Sequence, residues 1–142
     1  MTDIEALTLT IWGEARGEPI EGKIGVAMVI RNRLLSHYRG AQTYVDVCTA
    51  QAQFSAWSDE VKQMQEAQDI LVGDPSLAHH PDPALRLCLE IAQATIPGLL
   101  SDNTAGANHY LTTDLYRRAR PAWAVGEAPR RRLGHHIFLK VP

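Results

Sequence analysis

A chain of 142 residues, 45% hydrophobic and 21% charged, has the balance of an ordinary globular protein and is long enough to bury roughly 68% of its unfolded surface. Fibrous, linker and low-complexity classes are excluded, and no disulfide or metal staple is needed for stability. The net charge of −2 joins two unlike parts. Residues 1–108 carry 7 basic against 14 acidic side chains and residues 109–142 carry 7 against 2, so an acidic body precedes a basic end.

The N-terminal Met1-Thr2-Asp3-Ile4-Glu5 is acidic and lacks the positive region and apolar run of an export leader. No stretch approaches the about 18 apolar residues of a bilayer span, so stable membrane insertion is not expected. Thr2 and Glu5 have the spacing of a capping box. Ile4, Leu7, Ile11 and Ala15 follow at helical intervals, which predicts a first helix to about Glu14 with those residues on a core. On that wheel Glu14 falls about 20° from Leu7, so a carboxylate lands on the apolar face. Gly17 and Pro19 end this helix, with Pro19 as first residue of a second that runs to Ser36. Its segment Ile24-Gly25-Val26-Ala27-Met28-Val29-Ile30 is apolar all round and should be buried on every side.

Residues 37–57 are weakly periodic and read as a loop with one helical turn. Ser58 is a cap for a third helix with Val61, Met64, Ala67 and Leu71 on one face, stopped at Gly73-Asp74-Pro75. Asp82-Pro83 starts a fourth, with the stripe Leu85, Cys88, Leu89, Ala92 and Ile96 ending at Pro97-Gly98. Cys48 and Cys88 sit among small apolar residues and are expected to be reduced. Beyond Leu100 the segments are short, and 108–112 and 137–141 are predicted strands. The expected fold is α+β and mainly α. It forms a single domain over residues 1–142, with a helical body to about residue 100 and a small extended, basic lobe from about 101 to 142.

Three segments carry candidate chemistry. In Ile11-Trp12-Gly13-Glu14-Ala15-Arg16-Gly17-Glu18 two carboxylates cluster at the end of a core-facing helix. A carboxylate held in a partly apolar cleft keeps its proton closer to neutral pH, as a general acid for glycoside cleavage requires. The plainer reading pairs Glu14 with an arginine, and makes Glu18 a solvated or capping charge before Pro19. In Gln51-Ala52-Gln53-Phe54-Ser55-Ala56-Trp57-Ser58-Asp59, amides, hydroxyls and two aromatics suit a sugar, although Phe54 and Trp57 equally suit anchoring the loop. The third is Ala107-Asn108-His109-Tyr110, with Pro121-Ala122-Trp123-Ala124 and His135-His136 downstream. Neighbours on a strand point to opposite faces, so His135-His136 lacks ligand spacing, and no metal or other cofactor is expected. No nucleophile elbow is present. The arginines at 117, 118, 120 and 130–132 come with no nucleic-acid motif in an acidic chain, so nucleic acid is not an expected partner.

Taken in order, these segments resemble the SleB-type cell-wall hydrolase family. Gly13-Glu14-Ala15-Arg16-Gly17-Glu18 is similar to its signature, and Gly25 to Arg33 to its buried helix with an Asn-Arg ending. Gln53-Phe54-Ser55-Ala56-Trp57 matches its Gln-Phe-Ser-x-Trp segment. Ala107 to Tyr110, Pro121 to Ala124 and Gly134-His135-His136-Ile137-Phe138 complete the set, with departures at Ala56, Ser58 and Asn108. The resemblance implies a lysozyme-like domain acting on bacterial peptidoglycan. It would cut the MurNAc-GlcNAc bond as a lytic transglycosylase or muramidase with Glu14 as general acid. Gln53, Phe54, Ser55, Trp57, His109, Tyr110 and Trp123 would then bind substrate, with Glu18 as a candidate second carboxylate. A compact monomer without a leader fits a phage lysin, made in the host cytoplasm and delivered to the wall by a holin or a particle. The acidic body is expected to help hold the proton on Glu14, and the basic lobe to draw the domain to an anionic polymer. A zinc amidase or endopeptidase on the same wall, and a non-catalytic wall-binding or particle module, are the competing readings.

Overall fold

The computed structural model describes residues 1–142. Its first helix, α1 (Asp3–Ala15), opens with the expected capping box: Thr2 N–H donates to the Glu5 carboxylate at 2.8 Å, and Glu5 N–H to the Thr2 hydroxyl at 3.2 Å. The stripe read from the sequence is narrower than the face that is buried, because every residue from Ala6 to Ile11 is covered. On one side Leu7, Ile11 and Ala15 pack with Val26, Ala27, Val47, Cys48 and Ala92. On the other, Leu9 meets Met64, Leu71, Leu85 and Leu89. Thr10 is tolerated inside because its hydroxyl donates to the Ala6 carbonyl at 2.7 Å and accepts from the Trp57 indole at 2.9 Å.

The second helix, α2 (Ile20–Leu35), is capped by Pro19, which stands just outside the helix instead of at its first position. Residues 25–30 are buried, as their all-round apolarity requires. A Cβ at Gly25 would lie 2.5 Å from the Phe138 ring, so the bare backbone is what seats that ring on the helix.

Residues 37–57 are more ordered than expected. They contain a 3-10 turn (Tyr38–Gly40) and α3 (Tyr44–Thr49), whose capping box pairs Thr43 with Asp46. A one-turn helix, α4 (Ala56–Asp59), contains Ser58, so the following α5 (Val61–Gly73) is capped by Glu60 and not by Ser58. Its buried face is Met64, Ala67 and Leu71, while Val61 is exposed. In α6 (Pro83–Thr95) the Asp82 carboxylate accepts from Ala84 and Leu85 N–H, as Asp-Pro predicts.

The remainder forms a small sheet with a short helix, α7 (Thr113–Arg118). Strands β1 (His109–Thr112), β2 (Arg131–Leu133) and β3 (His136–Leu139) are antiparallel in the order β1-β3-β2. In β3 Phe138 faces α2 beside Val29 and Ala107, while Ile137 and Leu139 pack on Leu111 and Ala124. The edge strand β2 carries Arg131 and Arg132 and has no apolar alternation, which is why its sequence gives no strand signal. The fold is thus mainly helical with one small sheet.

The connection between helices and sheet is pinned by the end of α2. Arg31 donates to the Leu100 carbonyl at 2.7 Å, Asn32 to Asp102 and the Ala107 carbonyl at 2.9 Å each, and Arg33 to the Asn108 carbonyl at 2.7 Å. Asp102 also accepts from Thr104 and Gly106 N–H and the Thr104 hydroxyl. Although burial works the other way, those donors hold its carboxyl below its ordinary range. Gly25→Ala is expected to cost about 1–3 kcal/mol by displacing the Phe138 ring. Urea unfolding would read this as a lower midpoint at unchanged slope, and a wild-type midpoint would mean that the ring has room.

Candidate active site

Glu14 stands in the last turn of α1 because Gly13 lets α4 abut the helix there. A Cβ on Gly13 would fall 2.5 Å from Ala56 Cβ and 2.9 Å from Met64 Sδ. That approach brings Ala56 N–H to 3.1 Å and the Ser55 hydroxyl to 3.2 Å from Glu14 Oε2. From β1 the Tyr110 hydroxyl donates to Oε1 at 2.5 Å. Burial, with the Glu14 charge beside it, pushes the Tyr110 pKa well above its ordinary value, so Tyr110 remains a donor at any physiological pH.

Two cavities flank this carboxylate. The larger, about 640 Å³, has Tyr38, Gln53 and Ser55 on the helical side and His109, Tyr110 and Trp123 on the sheet side. The smaller, about 430 Å³, continues past Glu14 to Thr112, Leu115, Pro121 and His136. Together they make a cleft with Glu14 at its middle. Trp123 is 38% exposed, with its ring 4.8 Å from that of His109, and offers an aromatic face to a ligand.

Six of the residues singled out in the sequence therefore line the cleft: Glu14, Gln53, Ser55, His109, Tyr110 and Trp123. Phe54 and Trp57 do not. Phe54 is 3% exposed in the core, and the Trp57 indole is spent on Thr10, so both anchor the loop that carries Gln53 and Ser55. Glu18 also lies outside the two cavities. Its carboxylate accepts from His135 N–H at 2.7 Å and meets His135 Nδ1 at 2.7 Å and His136 Nδ1 at 3.6 Å. This joins the α1–α2 turn to the sheet. His135 precedes β3 in a turn, so the expectation that the two histidines point apart fails, and both reach Glu18. Backbone and side-chain donation from His135 outweighs burial and keeps the Glu18 carboxyl below its ordinary range.

Sequence reasoning missed Arg33, Tyr38 and Arg39, which line the larger cavity. Arg33 closes the Arg31-Asn32-Arg33 run that ends an apolar helix, and that abrupt polarity was the available signal. The expectation of acidic surroundings for Glu14 is overturned, since no other carboxylate lines either cavity and two arginines do. The remaining signature arginine, Arg16, pairs with Glu60 at 2.5 Å and lies 4.5 Å over the Trp12 ring, not with Glu14. Arg117, Arg118, Arg120 and Arg130 to Arg132 are all exposed, with Arg118 paired to Asp114 and Arg120 stacked 3.6 Å over Tyr116. No three His, Cys, Asp or Glu side chains are arranged to hold a metal ion. Cys48 and Cys88 are buried and unpaired, and burial pushes both thiols up to about 12, so neither is a nucleophile. No helix is long and apolar enough to cross a membrane.

The sequence profile of the Cell Wall Hydrolase family matches residues 17–139. The chain belongs to that family. It is 30% identical over 141 residues to a spore cortex-lytic enzyme of Halalkalibacterium halodurans, covering 96% of this chain and 34% of that protein. The chain therefore spans about a third of the length of that relative. Among solved structures it superposes on the catalytic domain of the germination-specific lytic transglycosylase SleB from Bacillus anthracis. The TM-score is 0.64 at 26% identity, over 97% of this chain and 93% of that one. The catalytic domain of the Bacillus cereus SleB protein gives 0.66 at 26% identity, over 97% and 89%. Both cover nearly all of this member of the Cell Wall Hydrolase family.

The cleft also sets a pH dependence. Burial, and then the charges of Arg33 and Arg39, push His109 down to about 4. The unfolded chain takes up this proton near pH 6.5, while the folded chain resists it until about pH 4. The stabilisation is complete above about pH 6.5 and is lost as pH falls toward 4. His136, lowered by burial, acts in the same direction. Thermal midpoints should fall between pH 6.5 and 4, and His109→Gln should flatten part of that slope. An unchanged slope in the variant would contradict the assignment.

Proposed function

We propose that the chain cleaves the MurNAc-GlcNAc bond of peptidoglycan as a lytic transglycosylase, with Glu14 serving first as acid and then as base. The observation that carries this is the solitary carboxylate. Two-carboxylate glycosidases need a second acidic group, about 5–9.5 Å away, to act as nucleophile or to activate water, and the cavities beside Glu14 offer none. One group must then do both jobs. The Glu14 carboxyl gives its proton to the glycosidic oxygen as the bond to the MurNAc anomeric carbon breaks. The resulting carboxylate takes the proton of the MurNAc 6-hydroxyl as that oxygen closes on the same carbon. The products are a 1,6-anhydro-MurNAc end and a free GlcNAc 4-hydroxyl, and no water is consumed.

Tyr110, Ser55 and the Ala56 amide aim the carboxyl group along the cleft. Trp123 supplies a stacking face, and Gln53 and His109 supply polar edges to sugar hydroxyls and acetamides. The exposed arginines of the sheet lobe attract an anionic polymer. Further support comes from the likeness to the SleB catalytic domains, one of which is described as a lytic transglycosylase.

Glu14→Gln should leave the protein folded and reduce clearing of purified sacculi by at least about 100-fold. Mass spectrometry of the wild-type digest should reveal muropeptides lighter by one water than the reducing forms. Reducing muropeptides alone would indicate a muramidase, and free peptides abolished by EDTA a zinc amidase. Binding without soluble product at any concentration would mark a non-catalytic module.

A further inference from the structure

We propose that Arg33 and Arg39 form a carboxylate-binding subsite that reads the acidic branch of the muramyl residue and so sets which glycosidic bond reaches Glu14. The inference rests on the peptidoglycan reading above and adds a determinant of register to it. Both arginines line the large cavity that contains Glu14, and both extend into an adjoining recess of about 150 Å³ with Tyr38, Asp46 and Gln53. The Asp46 carboxylate pairs with neither arginine and instead accepts from the Gln42 and Thr43 N–H groups at 2.9 and 3.1 Å.

The charge arrangement is what calls for a ligand. Arg33 is 5% exposed, yet no carboxylate lies within 4.0 Å of it or of Arg39. Its guanidinium donates only to neutral oxygens, the Asn108 carbonyl at 2.7 Å and the Gln53 side chain at 3.4 Å. It also lies 5.0 Å over the Tyr38 ring and 5.3 Å over that of Phe54. A buried cation without a counter-charge is costly, and a second cation nearby adds to the cost.

Backbone conformation adds a separate observation. Arg39 is held at φ +53° between His37 at +52° and Gly40 at +78°. A left-handed Arg is unfavourable because its Cβ crowds the backbone carbonyl, and such strain collects where a side chain must be presented in one place. Here it presents the Arg39 guanidinium at the recess, 5.5 Å over the Tyr38 ring on which Arg33 also stacks. An anion between the two guanidinium groups would satisfy both, and a fork of N–H donors matches a carboxylate. In a strand of alternating GlcNAc and MurNAc only the latter carries one, on its lactyl ether or on the stem peptide that extends it. Occupation of the recess therefore fixes the strand register at every second sugar.

The test uses soluble glycan strands in three forms: peptide-free, peptide-free with the lactyl carboxylates amidated, and stem-bearing. Wild-type protein should cleave peptide-free strands with kcat/KM about 10-fold or more above the amidated form. Arg39→Gln should reduce that ratio to within about threefold of unity, and Arg39→Lys should retain part of it. Because Arg39 is exposed, these variants should unfold at the wild-type temperature, and ratios within one protein remain valid even if activity shifts. Preference for stem-bearing strands alone would assign the anion to the peptide. Equal cleavage of all three forms, or an undiminished ratio in Arg39→Gln, would overturn the subsite while leaving the reaction intact. Binding to Glu14→Gln protein separates the two ideas. If wild type cleaves nothing while Glu14→Gln protein still prefers the anionic strands, the subsite stands and the reaction falls.

Discussion

The Glu14 carboxylate is bonded from two directions, by Ser55 and the Ala56 amide on the helical side and by Tyr110 on the sheet side. Much of the fold serves to keep those donors in range. Helix α1 is enclosed by five others, α2 to α6, which fixes the position from which Glu14 projects. Gly13 allows α4 to close on that point, and Thr10 holds Trp57 so that the loop cannot drift away. On the far side, Tyr110 pairs with Phe138 across the sheet, and Phe138 is seated on Gly25. The end of α2 then ties down residues 100–108, so that β1 enters the sheet at a fixed height.

The electrostatics follow a similar division. The acidic excess of residues 1–108 does not reach the cleft, where Glu14 is the one carboxylate and Arg33 and Arg39 are its charged companions. Glu18, the other acid of the signature, is consumed in holding His135 and His136. It acts on the site at a distance, since the His136 ring lies 4.9 Å from that of Tyr110. A single carboxyl group in the cleft suits a reaction in which one group gives and then recovers a proton, and the arginines suit the capture of an anionic polymer.

Helix starts were legible wherever capping chemistry was local: Thr2 with Glu5, and Asp82 before Pro83, both stand where the spacing predicts. The same chemistry at Thr43 and Asp46 was available and would have revealed α3. What periodicity misjudged was the breadth of burial on α1, because Thr8 and Thr10 read as polar and are nevertheless enclosed. Glu14 was legible as a carboxylate on an apolar face. Phe54 and Trp57 were not separable from ligand-stacking aromatics, since only the fold decides whether a ring faces core or cleft. Arg39 was invisible because a strained turn presents it, and β2 because an edge strand borrows its order from β3.

If the two-sided hold on Glu14 is what makes it an acid catalyst, loosening one side must slow the reaction without loosening the fold. The most direct measurement is kcat for Tyr110→Phe on purified sacculi, with KM and the thermal midpoint recorded alongside. The expected result is a kcat about 10- to 100-fold below wild type, with KM within about twofold and the protein still folded. A wild-type kcat in a folded Tyr110→Phe protein would contradict the account.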